Sequence, residues 1–205
     1  VGQVFTYKHS GPQPWSDGNT DASGKRVVAV MGKTADSKRW RIEERYDAIE
    51  GTLVGEYDDK SLLYRQTLRA AGGELHILFS TPIPVRYGKL EVGEQKISQY
   101  TQTFLDSAGT PVGSAQVTDT TTRGEYDIRI ITPAGAYLCR NFTSVIEIQT
   151  ILQGQTTVFS GTVKTYWCDS LGWMVKEEGS FNPILVEGEP TQPGYKTESV
   201  LESVE

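Results

Sequence analysis

Ala136-Tyr-Leu-Cys-Arg-Asn-Phe-Thr-Ser-Val-Ile-Glu-Ile-Gln-Thr-Ile-Leu152, then Gln153-Gly154, then Gln155-Thr-Thr-Val-Phe-Ser-Gly-Thr-Val-Lys-Thr-Tyr-Trp-Cys168 is the stretch that decides the fold. Both arms are rich in β-branched and aromatic residues, and apolar and polar positions alternate along them with the period of a strand. A two-residue turn at Gln153-Gly154 makes the arms a long antiparallel hairpin, with Leu152 opposite Gln155. Counting outwards, Leu138, Arg140, Phe142, Ser144, Ile146 and Ile148 share a face with Phe159, Gly161, Val163, Thr165 and Trp167, the apolar side. Cys139, Asn141, Thr143, Glu147, Lys164 and Tyr166 fall on the polar side.

The same register places Cys139 opposite Cys168, at a non-hydrogen-bonded pair where the strands approach most closely. That predicts a cross-strand disulfide on the outer face, stabilising by about 3–4 kcal/mol in the chain-entropy model. A disulfide in turn points to an oxidising compartment: periplasm, cell surface or outside the cell.

Outward from this hairpin the strand period recurs. Val1–Tyr7, Lys25–Lys33, Arg39–Asp47, Thr52–Tyr57, Ser61–Ala70, Glu74–Ser80, Lys96–Asp106, Val112–Thr120, Glu125–Ile131 and Trp173–Phe181 all read as strands. Thr81–Glu94, with two prolines and two glycines, reads as a crossing loop. No helical period stands out. The prediction is an all-β fold: one antiparallel sheet of about 10–12 strands curled into an open barrel or half-barrel, residues 1–205 forming a single domain. From Asn182 the chain is a Pro/Gly-rich acidic tail with one further strand in Tyr195–Val204.

Composition narrows the partners. Twenty basic against 26 acidic residues give a net charge of −6 with no Lys/Arg cluster, which disfavours nucleic acid. No apolar run approaches the ~20 residues of a transmembrane helix. His9 and His76 are the only histidines, and with two cysteines they lack zinc-ligand spacing; no metal or cofactor is expected. Asp17-Gly-Asn-Thr-Asp-Ala-Ser23 alternates oxygen ligands but has Ala22 where a calcium loop needs glycine, so it reads as a turn. No catalytic motif occurs. The adjacent pairs Glu43/Glu44 and Glu177/Glu178 point to opposite faces of their strands and read as solvated.

Four phrases carry a resemblance: Trp40-Arg-Ile-Glu-Glu-Arg-Tyr46; Pro82-Ile-Pro-Val85 with Leu90-Glu-Val-Gly-Glu94; Ile131-Thr-Pro-Ala-Gly-Ala-Tyr137; and Thr165-Tyr-Trp-Cys-Asp-Ser-Leu-Gly-Trp-Met-Val-Lys-Glu177. Across Trp40 to Phe181 the chain resembles a family of bacterial periplasmic domains, similar in fold to the lipoprotein-localisation carriers. The resemblance implies an envelope location and an apolar concave face, and it brings no catalytic residue. The expected function is binding of an apolar or lipid-like ligand by a non-enzymatic envelope protein. Its lining would be Trp40, Ile42, Tyr64, Leu68, Phe79, Phe142, Ile146 and Trp167, with Glu44, Gln66 and Arg140 as inward polar groups and Glu44–Arg140 as an ion pair. The alternative is an interaction module with a filled core and an exposed aromatic patch drawn from Trp15, Tyr57 and Tyr87.

Overall fold

The structure, a computed structural model, describes residues 2–12, 21–36, 38–84, 90–124, 126–152 and 154–205. Among these every regular element is a strand: β1 (Val4–Ser10), β2 (Gly24–Lys33), β3 (Trp40–Tyr46), β4 (Thr52–Tyr57), β5 (Leu62–Ala70), β6 (Gly73–Pro84), β7 (Gln95–Leu105) and β8 (Pro111–Arg123). There follow β9 (Ile128–Thr132), β10 (Gly135–Leu152), β11 (Gln155–Cys168), β12 (Trp173–Phe181), β13 (Ile184–Val186), β14 (Glu189–Gln192) and β15 (Tyr195–Val204). No described helix is long and apolar enough to cross a membrane. The Thr81–Pro84 part of the expected crossing loop belongs to β6. Most of the Asp17–Ser23 turn, Trp15, Tyr87 and Gln153 lie outside the described residues.

The decisive hairpin forms in the expected register, from Leu152 opposite Gln155 to Arg140 opposite Trp167. From β1 to β8 each strand pairs antiparallel with the next, β8 pairs with β10, and β11 with β12. The tail then does the unexpected work. β15 pairs with β12 on one side and with β1 on the other, closing twelve strands into a complete barrel rather than an open one. Tyr7 meets Leu201 across this seam, and both are fully buried. Closure removes both sheet edges along the wall, which is how such a sheet avoids pairing with other chains.

At one end β10 parts from β11 beyond Arg140 and pairs instead with β9, Cys139 standing opposite Ile128. Ile128 and Ile130 pack against the core cluster that holds Phe5, Tyr7, Cys139, Phe142, Trp167 and Cys168. This corrects two expectations. Leu138 is 67 % exposed while Cys139 is fully buried, so the apolar side of the hairpin changes hands where β10 changes partner. The disulfide is also absent: both cysteines are free, the Cys139 Sγ directed at the Tyr137 carbonyl (3.6 Å) and the Cys168 Sγ at the Ser170 hydroxyl (3.0 Å). The β10–β11 ladder ends at Arg140 and Trp167, one pair before the cysteines, and the two thiols lie beside each other unbonded.

Two predictions follow from the packing. Leu201→Ala at the seam is expected to cost about 2–5 kcal/mol, read as a lower urea midpoint; an unchanged midpoint would show that the seam carries no stability. Burial, with Cys168 beside it, pushes the Cys139 thiol up to about 12. A thiol reagent should therefore leave the native protein unlabelled and modify two cysteines in urea without reductant, whereas no reaction in urea would mean a disulfide.

Candidate functional site

Along β2, Arg26 shares a face with Val28, and that face turns into the barrel, where only 6 % of the Arg26 side chain is exposed. Its Nε donates to Glu44 Oε1 on β3 (2.8 Å) and its Nη1 to Glu177 Oε1 on β12 (2.9 Å) and to Ser199 Oγ on β15 (3.2 Å). The guanidinium lies 5.6 Å from the Tyr7 ring centre and 5.8 Å from that of Tyr46. Tyr46 donates its hydroxyl to Glu44 Oε1 (3.0 Å), and Tyr7 donates to the Met174 carbonyl (2.8 Å). Burial opposes the charge on Arg26, but the two carboxylates keep it protonated. Burial likewise raises the Tyr7 and Tyr46 hydroxyls above their ordinary range.

His9 completes the cluster, its Nδ1 2.8 Å from Ser199 Oγ and its ring edge-on to Tyr46. Ser199 Oγ accepts from Arg26 and makes a second hydrogen bond with His9 Nδ1, in which the donor depends on the imidazole tautomer. Burial first, then the positive Arg26, lowers the His9 pKa, which favours the neutral ring. A serine, a histidine and two carboxylates thus converge, yet Ser199 is 2 % exposed and both acids are held by one arginine. The chemistry is that of a structural tie rather than of an open nucleophile.

Further along the barrel interior the wall turns aromatic. A cavity of about 210 Å³ opens at the mouth, walled by Val30, Trp40, Ile42, Tyr57, Trp167 and Trp173 and rimmed by Asp58, Asp59 and Ser61. The Trp167 and Trp173 rings stand 5.6 Å apart and tilted at 52°, forming a notch, and Phe5 stacks behind Trp173. Gly55 is required beside it, because a Cβ there would lie 2.5 Å from the Tyr57 ring. Burial, and then the negative Glu44, raises the Tyr57 hydroxyl, so the floor of the cavity adjoins the Arg26 cluster electrostatically. At the rim Trp40 Nε1 donates to Asp59 Oδ1 (2.7 Å), and Asp58 Oδ1 accepts the backbone N–H groups of Lys60 and Leu62.

Of the residues expected to line a site, Trp40, Ile42 and Trp167 meet in this cavity. Glu44 faces inward as expected, but its partner is Arg26; Arg140 pairs with Asp169 instead. Glu177, read as solvated beside Glu178, also turns inward to Arg26. Tyr64 leaves the expected face, because a bulge after Leu63 places Leu63 in the interior and sets the Tyr64 ring under the Arg39 guanidinium, 4.3 Å away. Gln66, Leu68, Phe79 and Ile146 are half-buried wall residues outside the cavity, and Phe142 belongs to the core. Tyr57, expected on an exposed patch, lines the cavity. Sequence reasoning missed Arg26, Glu177, His9 and Ser199; the position of Arg26 in phase with the apolar Val28 was the one signal for the first.

No protein-family model matches this chain, and no curated protein matches it in sequence. Among solved structures it is similar to a candidate exported protein with a YmcC-like fold from Bacteroides fragilis, at 13 % identity and a TM-score of 0.46, over 100 % of this chain and 95 % of that one. It is also similar to a candidate lipoprotein from Parabacteroides distasonis, at 11 % identity and a TM-score of 0.49, with the same coverage. The site is therefore read on its own chemistry.

Removing the guanidinium strands two half-buried acids. Arg26→Met is expected to destabilise by roughly 3–5 kcal/mol, and adding Glu44→Gln and Glu177→Gln to it should recover part of that loss. Denaturant titration checks both, and a triple variant no more stable than Arg26→Met would show that the acids are not in tension without their arginine.

Proposed function

We propose that this chain is a non-enzymatic binding barrel of the bacterial cell envelope that takes a small apolar group into the cavity walled by Trp40, Ile42, Trp167 and Trp173. The observation that carries the reading is the cavity itself: an aromatic-walled space at the mouth of an otherwise closed barrel. At about 210 Å³ it is smaller than the roughly 300–1,000 Å³ of sites for drug-sized ligands. It suits one ring or a short branched alkyl group, not the chains of a whole lipid. The envelope location is the one that the resemblance implies.

The outer face of β3 to β6 is suited to water. It carries Arg39, Arg41, Glu56, Arg65, Arg69 and Glu74, with Val54 set among the charges. A transmembrane β-barrel is built the other way round.

A second reading, an interaction module, is favoured by one observation: Ile131 and Leu138 on the β9–β10 hairpin are 77 % and 67 % exposed. Three of the four tryptophans line the cavity, so intrinsic fluorescence reports on it. Titration with hexan-1-ol is expected to shift the emission saturably, and Val30→Phe, which fills the space, to abolish the response while the fold is kept. A linear response, or one that Val30→Phe leaves intact, would overturn cavity binding and favour the interaction module.

A further inference from the structure

The wall chemistry of the cavity narrows the ligand class, an inference that rests on the binding reading above. Four aromatic rings, those of Trp40, Tyr57, Trp167 and Trp173, surround the space, and both ionisable groups at its rim are acids, Asp58 and Asp59. Among the described residues no basic side chain lines it. Aromatic faces carry negative electrostatic potential and attract cations, most strongly where water is excluded. An apolar neutral ligand would need the rings but not the acids.

The protein already places an ammonium on this wall. Lys33, opposite Trp40 in the β2–β3 ladder, holds its Nζ 5.0 Å from the Trp40 ring centre and 3.5 Å from Asp59 Oδ1. Its side chain is 36 % exposed, so it rests over the rim rather than filling the cavity. The Trp40 indole N–H, and then Lys33, hold the Asp59 carboxyl below the usual carboxylate range, so the rim stays negative at neutral pH. Counted together, two acids and one lysine leave the mouth with an excess negative charge, in a chain whose net charge is −6.

We propose that the cavity is an aromatic cage for a small organic ammonium ion, a trimethylammonium or similar alkylammonium head, which sits among Trp40, Tyr57, Trp167 and Trp173 in competition with Lys33. The cation's alkyl shell fills the apolar walls, and its charge is answered by the ring faces and by Asp59. A compact methylated ammonium also matches a volume that excludes larger ligands.

The test compares choline with 3,3-dimethylbutan-1-ol, which has the same shape and a carbon in place of the charged nitrogen. Both are titrated into the whole protein and followed by tryptophan emission. Choline is expected to bind about tenfold more tightly than the neutral isostere. Asp59→Asn keeps the oxygen that accepts the Trp40 N–H and should weaken choline several-fold without changing the isostere. Lys33→Met frees the Trp40 face and should tighten choline. If the isostere binds as well as choline, the cation inference fails while apolar binding stands; if neither binds and hexan-1-ol is also inert, both readings fail.

Discussion

Arg26 ties the barrel together where the chain closes on itself. The seam runs between β15 and β1, and Arg26 on β2 reaches over it to Ser199 on β15 and Glu177 on β12, while its other arm holds Glu44 on β3. Four strands from both ends of the chain thus converge on one buried charge. Such a cluster adds little net stability over an apolar core of equal volume, since desolvation offsets the attraction. Its leverage lies in what alternatives cost. A one-residue slip of β15 would turn Ser199 to the outside and leave Arg26 short of a partner in a place without water.

Closure at twelve strands has a second consequence. Eight strands make a barrel whose interior a single layer of side chains just fills, and the diameter grows with each strand added. Here Phe5, Tyr7, Phe142, Trp167 and Leu201 pack in one core. The rings of Trp40, Trp167 and Trp173 are too few to fill the mouth on the side of β2 to β4, and the gap they leave is the cavity. The site is a by-product of width, and its character comes from the side chains that the wall presents there.

The strands themselves were legible, because alternation is a local property and reports a half-buried wall wherever it occurs. So was the β10–β11 register, which a two-residue turn fixes from within the hairpin. Trp40, Ile42 and Trp167 could be placed indoors for the same reason. The failures share a cause. Tyr64 was misread because a bulge shifts the alternation and leaves no mark in composition; Leu138 was misread because β10 changes partner there and the buried side passes to Cys139. Arg26 was hidden because a charged residue alternating with valine looks like an edge until its acids, 18 and 151 residues away, are brought to it.

What the sequence determined by itself was the all-β wall and the inward face of a few strands, the β10–β11 hairpin foremost, because both follow from a period of two. Whether the sheet stayed open or closed was not local information. It depended on an acidic, Pro/Gly-rich tail finding the first strand, a pairing between residues almost the whole chain apart. Only the tertiary structure decided that, and with it which acids would share an arginine and where the aromatic rings would leave room.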